Sequence, residues 1–344
     1  MDHHRGIQLP FVSCVTPVYN AEDYLAECIE SVLSQSYESF EYIIVNNVST
    51  DRSLEIARDY EKRDSRIRVF DNHKHLEQVD NINHALSKIS PSSKYCKIVF
   101  ADDWLYPECI ERMVQLAEKH PSVGIVSSYY VWGTEVMNVG LPPVTSSYRG
   151  PALCRRMLLT GEFFFGTASV ILMRSELIRA RNPFYDNNSM HEDTEACYEL
   201  LQNCDFGFIP QVLSYTRRGN LSVTSSISSY NPALLDYFTA MKKFGPFYLN
   251  EDEYKRRLSE VGRWYKMFLG LSFLKRKDKA FWNYHQKYLR RVNFSLTTSR
   301  LIKYSILAGL DLLCNPKRTV QRLIDRRKAR QAPVSACEHS LSNF

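Results

Sequence analysis

An alternation constrains this chain more than any other feature. Short β-prone runs trade places with stretches whose apolar residues recur at helical spacing. Phe11–Thr16 (FVSCVT), Phe40–Val45 (FEYIIV), Arg66–Phe70, Tyr95–Phe100 (YCKIVF) and Gly124–Val131 read as strands. Between them, Ala21–Ser34 carries Tyr24, Leu25, Cys28, Ile29, Val32 and Leu33 on one stripe, with Asn20 offered as its N-cap. Leu54, Ala57 and Tyr60 mark a second helix capped by Thr50 or Asp51, and Val79–Ile89 a third. Pro107 sits where the first turn of a fourth tolerates it, ahead of Ile110, Met113, Val114 and Ala117. Repetition of strand, loop and helix predicts an α/β domain with a mostly parallel sheet flanked by helices. Pro17 is expected to end the first strand, because it cannot donate to a ladder.

The rhythm then loosens into a helix at Ala152–Leu159, a Gly-bounded loop at Gly161–Gly166, and strands at Ser169–Met173 and Phe206–Tyr215. From about Asn231 onward the pattern is helical, with aromatic and basic residues clustered at Trp264–Lys277. At 344 residues the chain suits one large domain and an appendage. The expected division is a catalytic-type α/β domain over 1–228 and a helical C-terminal region with a basic tail over 229–344.

Charge and cysteine content exclude several classes. The formal charge of +6 is concentrated in 317–330, which holds seven Lys or Arg against one Asp. With that tail set aside, acids and bases balance, so no basic face of the kind that tracks a nucleic acid is expected. Nine cysteines lack any C-x-x-C pair and read as buried thiols of a reducing compartment. The N-terminus has no signal-like apolar core, and His3 and His4 read as a frayed terminus. The longest apolar stretch, Ile306–Cys314, is broken by Asp311 and falls short of the ~20 residues that span a bilayer. A cytoplasmic protein is expected.

In open α/β sheets ligands sit beyond the carboxyl ends of the strands. Three polar clusters fall there: Thr16–Asn20 (TPVYN), Asn46–Asp51 (NNVSTD) and Ala101–Trp104 (ADDW). Adjacent carboxylates at Asp102 and Asp103 repel unless a cation compensates, and an oxygen-only set suits Mg²⁺ or Mn²⁺ on phosphate oxygens. The alternative is a solvated acidic turn. The second cluster can bind a base edge or ribose, or only cap a helix. His191-Glu192-Asp193 opens a helical pattern, where a carboxylate serves either as a general base or as a favourable charge at a helix N-terminus. Arg217 and Arg218 follow a strand and can pair with phosphate or face solvent.

These segments, in this order and spacing, resemble the family-2 glycosyltransferases. The resemblance runs from Val12–Tyr37 through Tyr42–Asp51, Ile98–Leu105, Gly166–Arg174 and His191–Asp193 to Ser214–Arg218. It implies a GT-A-type fold and transfer of a sugar from a nucleotide-sugar donor, a UDP-sugar first among them, to a hydroxyl of a glycan or lipid-linked acceptor. It further implies that Thr16, Pro17 and Tyr19 line the base and ribose pocket, that Asn47 and Asp51 hold the nucleoside, and that Asn83 faces the donor. Asp102 and Asp103 would take the metal and the ribose-diphosphate, and Asp193, beside Glu192, would be the base of an inverting displacement.

Two positions depart from the family pattern. Asn46-Asn47-Val48-Ser49 stands where D-D-G-S is usual, which leaves the base open among uracil, guanine and thymine. Phe100 stands where the first carboxylate of D-A-D-D is usual, so divalent metal is expected to bind chiefly with the donor's phosphates. A catalytically silent scaffold or sugar-binding protein is the alternative that these losses favour. A nucleotidyltransferase would want a Gly- and basic-rich loop after the first strand, which TPVYN does not supply. The basic tail implies a peripheral contact with the inner face of a membrane, or a solvated charged face.

Overall fold

A computed structural model describes residues 9–189, 191–218 and 230–314. Among these, the chain divides into two compact units, one built from residues up to 153 with 163–218, the other from 154–162 with 230–314. The expected boundary at 228/229, the basic run 317–330 and the paired histidines at positions 3 and 4 lie outside the described residues.

Unit one is a sheet covered by helices. Its strands are β1 (Val12–Val18), β2 (Phe40–Asn46), β3 (Ile67–Asp71), β4 (Tyr95–Ile98), β5 (Trp104–Leu105), β6 (Val123–Trp132), β7 (Glu135–Met137), β8 (Ser147–Tyr148), β9 (Leu172–Arg174) and β10 (Asp205–Thr216). They lie in the order β3-β2-β1-β4-β9-β6-β10-β5, with β7 on β6 and β8 on β10. The first four are parallel, as the alternation predicted. Beyond β4 the sheet is mixed: β9 inserts antiparallel between β4 and β6, while β6 and β10 run parallel.

All seven residues of β2 are buried, as a strand covered on both faces requires. The helices are α1 (Leu25–Leu33), α2 (Ser53–Arg63), α3 (Gln78–Leu86), α4 (Cys109–Lys119), α6 (Ser175–Arg179) and α7 (Glu192–Leu200), while α5 (Gly150–Thr160) belongs to unit two from residue 154 onward. In α1, Leu25, Cys28, Ile29 and Val32 are buried, each such aliphatic contributing roughly 1.5–3 kcal/mol. Of the eight described cysteines, six are buried, as expected, whereas Cys314 is exposed.

Two local expectations need correction. Pro17 does not end β1, which runs to Val18. Residues of a parallel strand alternate in the neighbour they address, and Val15 and Pro17 address the β4 side. There the ladder stops at the Val15–Ile98 pair, so Pro17 lacks no partner. Asn20 is not the cap of α1, which starts only at Leu25 after a turn; its side chain serves a neighbouring loop instead.

Unit two is helical: α8 (Pro232–Tyr248), α9 (Glu251–Leu274), α10 (Lys279–Arg291) and α11 (Thr298–Cys314). Asn250 and Glu253 form a reciprocal capping box that starts α9. Phe238 stacks on Tyr265 at 4.9 Å between ring centroids. The Tyr265 hydroxyl lies 2.6 Å from His285 Nδ1, and His285 Nε2 lies 3.0 Å from Tyr230 O. Burial pushes the imidazole down to about 4, so the ring is neutral, with Nε2 donating to the carbonyl and Nδ1 accepting from the phenol.

Candidate active site

Strand order brings the three clusters together at one sheet edge. Thr16 Oγ1 donates to Val99 O at 2.7 Å, and Asn47 N donates to Val18 O at 2.8 Å, so the carboxyl ends of β1, β2 and β4 are joined directly. Thr16 itself is wholly buried, its hydroxyl shared with Tyr42 at 2.9 Å. Tyr19, by contrast, is 50% exposed, its ring 4.6 Å from that of His75.

The loops after β1 and β2 are laced backbone to side chain. Asn20 N donates to Ser49 Oγ at 3.0 Å, while Thr50 N donates to Asn20 Oδ1 at 2.8 Å. Asp51 accepts from Glu22 N and Ser53 N, both at 3.0 Å, and Arg52 N donates to Glu22 Oε2 at 2.9 Å. Burial works against ionisation of Asp51, but bonds from Ser53 and Glu22 prevail and hold its carboxyl below the usual range. Asp51 thus takes a first-turn amide of α2 and ties that helix to the loop after β1.

The amides that replace the family's carboxylates have structural work here. Asn47 donates to Leu76 O at 2.8 Å and accepts from Leu76 N at 2.9 Å, a pairing that a carboxylate, having no N–H, cannot make. Asn46 donates to Asp71 Oδ1 at 2.7 Å, while its own Oδ1 is buried with no hydrogen-bond partner among the described residues. Val48 sits at φ 59°, a region where a β-branched side chain is strained. Val48→Gly should therefore stabilise the protein, by up to ~1 kcal/mol once the ~1–2 kcal/mol of left-handed strain is set against the entropy that glycine loses. A rise in the thermal midpoint is the expected reading; a fall would mean the position is unstrained.

The carboxylate pair follows β4. The chain turns there, with Asp103 N donating to Phe100 O at 2.9 Å, and then pairs Trp104–Leu105 with Ser214–Tyr215 of β10. Asp103 is 3% exposed and Asp102 half-buried. Arg217 N donates to Asp103 Oδ1 at 3.1 Å, and the Ser169 hydroxyl also bonds this carboxylate. Burial first, and the neighbouring Asp102 charge second, push Asp103 up to about 7. The same two charges reach Cys28, whose thiol lies 3.7 Å from the Tyr42 hydroxyl that Thr16 shares.

Both arginines lie against aromatic rings. The Arg217 guanidinium bonds Asp102 O at 3.1 Å through Nε, pairs with Glu27 and lies 4.5 Å from the Tyr24 ring. Arg218 lies 4.6 Å from the Trp132 ring.

Glu192 and Asp193 occupy the first turn of α7, where Asp193 Oδ1 accepts from Thr194 N at 2.7 Å. Burial raises both carboxyls, Glu192 to about 7 with Asp193 adding to it; His191 and Thr194 pull Asp193 the other way. Tyr130 on β6 connects this turn to the carboxylate pair. Its phenol is raised by burial and then by the charges of Asp103 and Asp193 together, so both acids stand within electrostatic reach of one ring. Asn83 clamps both peptide groups of Tyr185 at 2.8 Å and thereby braces the segment leading into α7. Among the described residues the buried Tyr185 hydroxyl has no hydrogen-bond partner, and it feels Asp193 and Glu192.

Sequence reasoning missed Ser169, Tyr130 and Lys97. Lys97 is wholly buried, donating to Ser169 O at 2.6 Å and Ile171 O at 3.3 Å, and burial lowers its ammonium despite the Asp103 charge. A lysine within the otherwise apolar run YCKIVF was the available signal, since a strand covered on both faces admits a charge only with partners. Ser169 Oγ also accepts from Phe100 N at 2.9 Å, so Lys97 and Ser169 together fix the turn that presents Asp102 and Asp103.

Among the described residues, no group of three or more His, Cys, Asp or Glu converges as a metal set. Two carboxylates with oxygen donors only, one of them desolvated, nevertheless fit a hard divalent cation whose remaining ligands come from phosphate and water.

Residues 13–180 match the family model described as glycosyl transferase family 2. An uncharacterized glycosyltransferase of Haemophilus influenzae is 28% identical over 229 residues, 66% of this chain and 65% of that protein. Glycosyltransferase GlyG of Streptococcus pneumoniae is 28% identical over 192 residues, 54% of this chain and 62% of that protein. This chain therefore spans less than two thirds of either relative. Among solved structures, S. aureus TarS 1-349 in complex with UDP-GlcNAc superposes with a TM-score of 0.58 at 16% identity, covering 87% of this chain and 88% of that one. At that identity the likeness is one of fold, the GT-A-type sheet with a helical C-terminal region. Residues 13–180, just under half of the chain, thus carry the sequence pattern of glycosyl transferase family 2.

Proposed function

We propose that this protein transfers a sugar from a nucleotide-sugar donor, a UDP-sugar foremost, to a hydroxyl of a glycan or lipid-linked acceptor, with inversion at the anomeric carbon. The observation that supports the proposal most is that the charges of Asp103 and Asp193 both bear on the buried Tyr130 phenol, as a diphosphate site and a base in one neighbourhood would require. Asp102 and Asp103 would hold Mg²⁺ or Mn²⁺. When bound, such an ion would offset the negative charge that grows on the departing diphosphate.

Asp193 accepts the proton of the acceptor hydroxyl. As the acceptor oxygen bonds to the anomeric carbon, the bond from that carbon to the diphosphate oxygen breaks, and the nucleoside diphosphate leaves from the opposite face. A carboxyl raised by burial is a stronger base than one in water, which suits Asp193 to this task. The exposed ring of Tyr19 and the half-buried Pro17 are the surfaces left to meet base and ribose. Thr16, Asn47, Asp51 and Asn83 have side chains committed to protein partners and act by shaping the pocket. Arg217 acts through its backbone N–H on Asp103, and Arg218 remains the cation we assign to the donor phosphates.

The product belongs to cell-surface polysaccharide or glycolipid assembly, with the protein on the cytoplasmic side and peripheral at the inner face of the membrane. Release of nucleoside diphosphate from a panel of UDP-, GDP- and dTDP-sugars, with and without Mn²⁺, tests the reaction. Metal-stimulated release from one donor class is expected. Tight donor binding with no release under any acceptor would instead support a silent sugar-binding protein.

A further inference from the structure

Helix α11 presents a face that is poorly suited to water. Its other side is used within unit two: Tyr304 and Ala308 are buried, and Ser305 Oγ donates to Gly270 O at 3.2 Å. A Cβ on Gly270 would stand 2.4 Å from Tyr304 O, so α9 and α11 touch backbone to backbone there. Away from that contact, Ile302, Ile306, Leu307 and Leu310 are 48%, 58%, 48% and 50% exposed. Steps of four, one and three residues put these aliphatics on one continuous helical stripe.

Charge decides what covers the stripe. The charged residues of α11 are Arg300 and Lys303, both exposed, and Asp311, a net charge of +1, with Arg300 also donating to Ser295 O at 2.6 Å. In the sequence that follows, 317–330 adds seven Lys or Arg against one Asp. An aliphatic stripe in a segment with this positive excess opposes a second copy of itself, since a two-fold contact sets the same patch, and hence like net charge, face to face. The partner it fits is apolar beneath and anionic above, which is a bilayer with acidic headgroups. The helix does not cross it: α11 has 17 residues, and no helix among the described residues is long and apolar enough to span.

We infer that α11 lies along an anionic lipid surface, its four aliphatic side chains at the acyl boundary and Arg300 and Lys303 at headgroup level. This names the element that makes the peripheral contact proposed above, and it stands or falls separately from glycosyl transfer. Co-sedimentation of the full chain with vesicles tests it, using phosphatidylcholine alone and phosphatidylcholine with about one third phosphatidylglycerol. Binding is expected on the anionic vesicles, weaker by about ten-fold or more on the neutral ones and reduced by high salt. The double variant Ile306→Asp/Leu310→Asp should lose about ten-fold or more of that binding. Its circular dichroism and donor binding should match wild type, because both side chains lie at the surface. Undiminished vesicle binding by the double variant, or equal binding to neutral vesicles, would overturn the inference. So would a lipid-free dimer that the double variant dissolves, which would assign the face to a second copy. Vesicle binding without any sugar transfer would retain this inference and remove the enzymatic one.

Discussion

Asp193→Asn lowers turnover by about 10²–10⁴-fold while leaving donor affinity within a few-fold of wild type. The amide keeps the size of the carboxylate and can still accept from Thr194 N, so the first turn of α7 should persist. What is lost is the ability to take a proton. The neighbour does not substitute for it: Glu192 is likewise half-buried and is raised to about 7, but it projects from a different position on the turn. Single-turnover release of nucleoside diphosphate, beside donor binding measured by calorimetry, separates the two effects. Turnover near that of wild type would remove Asp193 from the mechanism. A parallel loss of donor binding would make it a structural residue.

Asp103→Asn should act in opposite directions on activity and stability. Metal-stimulated turnover falls by about 10²–10³-fold, because the variant keeps the hydrogen-bonding shape of the site but halves its anionic charge. Stability should rise. Burial and Asp102 raise the folded-state carboxyl of Asp103 to about 7. An acid raised on folding binds more protons folded than unfolded, so its contribution to stability declines as pH climbs from about 4 to about 7. An uncharged amide is exempt from that decline. Measured in EDTA at pH 8, the variant should be more stable than wild type by about 1–3 kcal/mol, and the gap should close toward pH 4. A variant less stable at every pH would mean that the carboxylate is a net structural support.

Much of the fold was legible in the sequence because period and punctuation encode it. The strands β1, β2, β3 and β4 and the stripes of α1 and α4 follow from apolar spacing alone. Direction is not encoded that way: Ser169–Met173 reads as a strand, but nothing in its composition says that it enters antiparallel between β4 and β6. The same limit applies to Trp104–Leu105, whose two residues are too short for any periodicity and form a strand only because β10 passes beside them.

The candidate site divides along the same line. That three polar clusters meet at one edge followed from the topology of parallel strands. Which of their side chains face outward did not, because that depends on partners distant in sequence. Asn83 meets Tyr185 across 102 positions, Thr16 meets Val99 across 83, and Asn47 closes on Leu76 across 29. Thr16, Asn47 and Asn83 each have a protein partner, as buried polar atoms generally do. Lys97 was passed over for the converse reason: one charge in an apolar strand was read through, when its burial required the Ser169 and Ile171 carbonyls that set the neighbouring turn.

The account rests on the Asp102–Asp103 turn gripping a diphosphate through a shared divalent ion. Calorimetric titration of UDP into the wild-type protein, in Mn²⁺ and in EDTA, tests this most directly, with Asp103→Asn as the comparison. The account predicts that Mn²⁺ tightens UDP binding to the wild type by about ten-fold or more and does little for the variant. Equal affinity in Mn²⁺ and EDTA, or the same metal effect in both proteins, would contradict it.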